Sequence, residues 1–235
     1  MKKTMIEISD AQMEQVEKQI KIHIQCDKPL ILPQILLDNN VKLDNMIIYP
    51  GVLRPMSSKR LASFVCRYQH MVKDKTVIDM GSGCGIQGVV AALCGASYIA
   101  FTDRNYAAYE NTLENISRYQ MQDRCSVYHG DLFEHIHKPA DIIIFAQPYF
   151  QGTPKTKYPF TFGMLDNGKL IHRFLDQAKT LFRERILMCW LDLAGDVNNP
   201  FKQAPKHGYT VKPHGPELLT TGEQQGSFWV CELTL

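Results

Sequence analysis

Val77-Ile78-Asp79-Met80-Gly81-Ser82-Gly83-Cys84-Gly85-Ile86-Gln87-Gly88 is the stretch from which the rest of the sequence can be read. A short apolar run, interrupted by one acid, reaches three alternating glycines and then a helix-period segment. Glycine at those positions lets the backbone turn tightly, and it lets a ligand lie against the main chain without meeting a Cβ. The stretch predicts a buried strand over 76–80, a ligand-binding turn and a helix over 86–95.

Working outward, the segments after Lys75 alternate between apolar runs and helical periodicity, as β-α-β units do. The expected order is strand 97–102, helix 105–120, strand 125–129, strand 140–146, helix 167–182 and strand 185–193. Ile142-Ile143-Ile144-Phe145 and Ile186-Leu187-Met188 are continuously apolar, as strands buried on both faces require. Tyr209-Thr210-Val211 and Ser227–Leu235 are read as the last two strands, a hairpin-like antiparallel edge. The fold class is α/β: a doubly wound, mostly parallel sheet of seven strands with an antiparallel edge strand and an N-terminal helical extension. Toward the N-terminus, residues 6–25 carry apolar positions at helical spacing, with Asp10 placed to cap the start. Pro29–Asn40 reads as a second short helix, and Lys42–Tyr49 as a strand ending at Pro50-Gly51. Leu61, Phe64, Val65 and Tyr68 mark an amphipathic helix over 58–72. Residues 1–50 thus form an accessory extension and 51–235 the main domain.

Composition narrows the function. The chain has 235 residues, 45% hydrophobic and 21% charged, enough for one sizeable core. No apolar run reaches the roughly 18 residues of a membrane span, and MKKTMIEISD lacks a secretory h-region, so a cytoplasmic protein is expected. The seven cysteines include no C-x-x-C pair, which argues against a disulfide framework or a zinc site. A net charge of +2 implies no nucleic-acid partner by itself.

Two further acids fall at strand ends. Phe101-Thr102-Asp103 closes the second strand, where a carboxylate suits the two hydroxyls of a ribose. His129-Gly130-Asp131-Leu132 follows the third strand on the same edge. Together D-x-G-x-G-x-G, the acid ending strand two and G-D-L resemble the first three motifs of class I S-adenosyl-L-methionine (SAM)-dependent methyltransferases, which have a Rossmann-like fold. That resemblance implies SAM as cofactor: the loop around Gly81, Gly83 and Gly85 at its methionine part, Asp103 at the ribose and Asp131 with Leu132 at the adenine, with Asp79, Ser82 and Arg104 counted among the cofactor-binding residues. No His-Glu-x-x-His motif appears and none of the eight histidines has a partner by spacing, so no metal is expected. A competing pattern is present too, since Gly83, Gly85 and Gly88 satisfy G-x-G-x-x-G with an acid about 20 residues on, the fingerprint of an NAD(P)-dependent oxidoreductase.

Asp141 to Phe150 ends in Ala146-Gln147-Pro148-Tyr149 and resembles D-x-x-x-x-N-P-P-Y, the motif of SAM enzymes that methylate amide or exocyclic base nitrogens. By resemblance Gln147, Pro148 and Tyr149 are the catalytic residues at the acceptor. The departure is Ala146, which offers no side-chain acceptor where the motif has asparagine. It keeps open a non-catalytic, SAM-binding scaffold subunit. Arg54-Pro55-Met56-Ser57 resembles the R-P-x-T segment that lines the cofactor pocket in the same subgroup. Lys155, Lys157, Tyr158, Phe160 and Phe162, between strand four and the next helix, form a candidate lid for an acceptor. The pattern favours RNA over a protein or small-molecule acceptor, with no membrane partner, and it sets no oligomeric state.

Overall fold

In the computed structural model, residues 10–25, 27–56, 58–221 and 224–235 are described. The N-terminal part contributes α1 (Asp10–Ile24) and a hairpin of β1 (Leu30–Leu36) and β2 (Lys42–Ile48), followed by α2 (Lys59–Arg67). The main sheet then begins: β3 (Thr76–Met80), α3 (Ile86–Leu93), β4 (Tyr98–Asp103), α4 (Tyr106–Arg118), β5 (Cys125–His129) and β6 (Ala140–Phe145). A long excursion carries the two-residue strands β7 (Phe150–Gln151) and β8 (Leu165–Asp166). It leads into α5 (Lys169–Ala178), β9 (Phe182–Leu191), α6 (Pro200–Gln203), β10 (Thr210–Thr221) and β11 (Gln224–Thr234).

Seven strands form one sheet in the order β10-β11-β9-β6-β3-β4-β5. The five from β9 to β5 are parallel, and the β10–β11 hairpin supplies the antiparallel edge, with β11 beside β9. From the central β3 the chain winds first through β4 to β5 and then returns to β6 on the other side. The turns leaving β3 and β6 therefore diverge, and a crevice opens between them at the carboxyl edge.

The apolar runs fill the middle of this sheet, and Ile142, Ile143, Ile144, Ile186 and Leu187 are fully buried. Two asparagines one turn apart on α4 seat the N-terminal hairpin on the domain. Asn111 accepts the Tyr49 N–H (2.9 Å) and donates to the Ile47 carbonyl (2.9 Å), while Asn115 accepts the Ile47 N–H (3.0 Å). Leu43, Met46 and Ile48 of β2 enter the same core.

The structure corrects the expectation for Pro29–Asn40. It is the strand β1 followed by a tight turn at Asp38–Asn40, and Pro33 is absent from the paired positions of the hairpin. Pro33 can sit there because β1 is an edge strand, and a short apolar run does not itself distinguish strand from helix. Boundaries moved for local reasons. The helix expected over 58–72 breaks after Arg67, the one expected to 95 stops before Gly95 (φ 94°), and β9 starts early because Phe182 pairs with Ala140. Of the helix expected over 6–25, residues 6–9 lie outside the described residues.

Gly88 marks the closest approach of α3 to the sheet. A Cβ there would lie 2.2 Å from Cε1 of the fully buried Phe101 and 2.9 Å from Cγ2 of Ile99. Gly88→Ala is expected to destabilise the protein by about 1–3 kcal/mol through overpacking, read from denaturant midpoints; an unchanged midpoint would refute the close packing.

Candidate cofactor and acceptor site

A cavity of about 300 Å³ occupies the crevice at the carboxyl edge. Its floor is the turn after β3, whose backbone is bonded from below. The Gly81 and Ser82 N–H groups donate to the Thr102 carbonyl at the end of β4 (2.8 and 3.1 Å), and the Gly83 N–H donates to Asp103 Oδ2 (2.9 Å). From α4, Thr112 Oγ1 donates to the Gly83 carbonyl (3.1 Å) and Asn115 Nδ2 to the Cys84 carbonyl (2.8 Å). Gly83 has φ 57°, and the space where its Cβ would stand is open. The turn is thus fixed on one side and bare on the other, a surface that fits the main-chain contact a nucleoside-like cofactor makes.

Asp103 stands beside the bare turn. Its Oδ1 accepts the Asn105 N–H (2.8 Å) and its Oδ2 the Gly83 N–H, so the carboxylate is aimed by two backbone donors. Burial pushes its carboxyl above the usual range, opposed by those two hydrogen bonds. Asp131, after β5, also lines the cavity and is ion-paired through Oδ2 to Arg173 of α5 (2.6 Å). Leu132 adopts φ 52°, and its carbonyl accepts from Thr102 Oγ1 (3.2 Å), which anchors this rim to β4.

The opposite wall leaves β6. Gln147 borders the cavity, but its carboxamide is bonded to β9: Nε2 donates to the Cys189 carbonyl (2.5 Å) and Oε1 accepts the Cys189 N–H (3.4 Å). Backbone pairing of β6 with β9 ends at Phe145 and Met188, and this side chain takes over at the next position of β9. Pro148 and Tyr149 line the cavity, with the Tyr149 ring edge-on to Phe150 and Trp190.

A roof closes the space. Gln12 of α1 exchanges hydrogen bonds with the backbone of Gln151, and Gln15 and Gln19 line the cavity. His23 donates from Nδ1 to the Gln19 carbonyl (2.7 Å), accepts the Arg54 N–H at Nε2 (2.8 Å) and stacks on Phe160. Burial holds its pKa below the ordinary value, the Gln19 bond opposes that and the Arg54 charge reinforces it, consistent with the neutral ring that these bonds require. Arg104 lies over the Phe162 ring (5.0 Å), joining the excursion after β6 to the β4 rim.

Comparison with known proteins places this architecture. A crystal structure of ribosomal protein L11 methylase from Lactobacillus delbrueckii subsp. bulgaricus superposes with a TM-score of 0.55 at 14% identity, covering 80% of this chain and 83% of that one. The T. thermophilus 16S rRNA N2 G1207 methyltransferase, solved with AdoMet and guanosine, gives 0.61 at 12% identity, over 88% of this chain and 50% of that one. The chain has the fold of class I SAM-dependent methyltransferases. The family description ribosomal protein L11 methyltransferase (PrmA) fits residues 64–148. Ribosomal protein L11 methyltransferases of Desulforamulus reducens and Carboxydothermus hydrogenoformans are 31% and 36% identical over 70 residues each, 30% of this chain. The chain matches about a quarter of the length of these relatives, 23% in each case.

Within this methyltransferase fold the residues singled out in the sequence separate into two groups. Gly81, Ser82, Gly83, Asp103, Arg104, Asp131, Leu132, Gln147, Pro148 and Tyr149 all border the cavity. Asp79 and Gly85 do not. Asp79 is buried behind the turn, where its Oδ2 accepts the Gly88 N–H (2.8 Å) in the first turn of α3, and a Cβ on Gly85 would meet Thr112 Cγ2 at 3.2 Å. The Ser82 hydroxyl is engaged by Thr112 (3.0 Å). The expected catalytic Gln147 side chain is turned to β9, because a residue one place further along a strand end points to the other face. Lys155 and Lys157 of the candidate lid are exposed, and only its aromatic residues Phe160 and Phe162 reach the cavity. The roof was missed, although Gln12, Gln15, Gln19 and His23 follow a helical period that a polar stripe on an otherwise core-facing side would reveal.

Two outcomes are expected. Gln147→Leu leaves the Cys189 N–H and carbonyl without their partner and costs about 1–3 kcal/mol of stability, with cofactor affinity unchanged by calorimetry; a large loss of affinity would return the amide to the cavity. Burial pushes the Asp79 carboxyl well above its usual range, with the Gly88 bond opposing and Asp103 adding. A raised folded-state pKa gives stability that is full below the unfolded value near 4 and is lost as pH rises toward the folded one. Asp79→Asn keeps an oxygen for Gly88, so its stability relative to the parent protein should increase from pH 4 to pH 8; a constant difference would refute the assignment.

Proposed function

We propose that this protein is a SAM-dependent methyltransferase that methylates a nitrogen of an RNA base or a protein side chain. The observation that carries this reading is the pairing of a half-buried turn, open where a Cβ on Gly83 would stand, with a backbone-aimed carboxylate at Asp103, at the switch point of a methyltransferase fold. Bound there, SAM supplies a methyl group on a sulfonium, an already activated leaving group.

The residues divide the work by position. The Gly81-Ser82-Gly83 backbone holds the methionine part, and Asp103 accepts hydrogen bonds from the ribose hydroxyls on lone pairs that its two backbone donors leave available. Asp131 and Leu132 border the adenine, with Arg104 holding the roof over that rim. Pro148 and Tyr149 frame the acceptor. Because the leaving group is already activated, holding the nucleophile in line supplies much of the catalysis and no covalent enzyme intermediate is required. Residues 51–235 act as the methyltransferase domain in this reading, and 1–50 as an accessory unit whose helix α1 roofs the acceptor side.

Isothermal titration should show binding of SAM or S-adenosylhomocysteine, weakened about 10- to 100-fold in Asp103→Ala by loss of hydrogen bonds to a charged group. Equal affinity in the variant would remove Asp103 from the site. Thermal shift by NAD(H) or NADP(H) in place of SAM would select the oxidoreductase instead.

A further inference from the structure

The acceptor half of the cavity has a definite chemistry. Its walls are Tyr149, Phe150, Phe160 and Phe162, with Arg54 and the α1 glutamines at the roof. Among the described lining residues the carboxylates are Asp103 and Asp131, both on the β4 and β5 side of β3, away from the β6 exit. Asp103 already accepts two backbone N–H groups and Asp131 is held by Arg173. The one cysteine on the lining, Cys84, has its thiol pushed up to about 12 by burial. The Gln147 carboxamide, the nearest substitute for the missing asparagine, is occupied by Cys189.

These facts bear differently on the possible nitrogen acceptors. A lysine ammonium must first lose a proton, and the carboxylates among the described lining residues, Asp103 and Asp131, lie on the other side of β3 from the β6 exit. An exocyclic base amine has its lone pair delocalised into the ring, and freeing it takes a side-chain oxygen at the exit of β6 that accepts its N–H groups; there Ala146 has none and the Gln147 carboxamide is engaged by Cys189. A ring nitrogen of pyridine or imidazole type needs neither. Its lone pair lies in the ring plane, and the flat ring matches aromatic walls.

Resting on the methyltransferase reading above, we propose that the acceptor is a neutral heteroaromatic whose ring nitrogen attacks through its in-plane lone pair. The lone pair forms the new N–CH3 bond as the C–S bond breaks, the bonding pair goes to sulfur, and the positive charge passes from sulfonium to ring. No proton is transferred. Tyr149 then holds the cationic product by cation–π attraction, with Phe160, stacked by His23, and Phe162, covered by Arg104, as apolar walls beside it. The same chemistry is presented by a free heterocycle and by a nucleobase in RNA.

The test has three acceptor arms, read as S-adenosylhomocysteine release and product mass: free pyridine- and imidazole-type heterocycles, a mixed-sequence single-stranded oligoribonucleotide, and a lysine-containing peptide with an arylamine. Transfer to a ring nitrogen is expected in the first or second arm, which separates the free from the RNA-borne source. The acid limb of kcat/KM should move with the acceptor's own pKa across a heterocycle series, because among the described lining residues no carboxylate or imidazole stands at the β6 exit. Calorimetry on the S-adenosylhomocysteine-loaded protein should show binding of the heterocycle or oligonucleotide that is methylated, weakened at least tenfold by Tyr149→Ala. Methylation confined to the peptide or arylamine, an acid limb fixed across acceptors, or SAM binding without transfer to any ring nitrogen overturns this inference and leaves the cofactor reading standing. Failure of SAM to bind overturns the cofactor reading itself.

Discussion

The hydrogen bond from the Gly83 N–H to Asp103 Oδ2 joins the two structural elements on which the site depends. A turn without side chains is flexible by nature, and its polar backbone groups need partners wherever water is excluded. Here the partners all come from beneath. Thr102 and Asp103 hold the N–H groups, and Thr112 and Asn115 hold the carbonyls. The upper surface is left bare, and the carboxylate beside it is aimed by the same bond that fixes the turn.

The same helix ties the N-terminal residues to this centre. Asn115 bonds both the Ile47 carbonyl and the Cys84 carbonyl, so one side chain links the accessory hairpin and the glycine turn. Beyond the hairpin, α1 reaches back over the cavity through Gln12 and His23. α1 is therefore part of the cavity wall, through Gln15 and Gln19. This explains a set of buried polar residues, Gln12, Gln15 and His23, which would be costly to bury without such bonds.

Much of this was legible in the sequence, for identifiable reasons. Strands such as Ile142–Phe145 carry short, continuously apolar runs set between helix-period segments, as parallel strands buried on both faces do, and alternating glycines between strand and helix permit few backbone paths. The acids at 103 and 131 follow from their place at strand ends. Other features depend on three-dimensional neighbours. Pro33 tolerates a strand only because β1 lies at an edge. The direction of the Gln147 side chain is settled by Cys189, which lies 42 positions later in the chain. Asp79 looked like part of the loop chemistry, but the Gly88 N–H draws it behind the loop. Asn111, Thr112 and Asn115 left a readable trace as polar residues on one face of a core helix, although nothing in the sequence says which backbone they hold.

The most direct measurement is a structure of the protein with S-adenosylhomocysteine bound. The ribose hydroxyls are expected against Asp103, the amino-acid part along Gly81-Ser82-Gly83, and the sulfur facing the space bounded by Tyr149, Phe160 and Phe162. A ligand held elsewhere, or one whose sulfur points away from Tyr149, would contradict this placement.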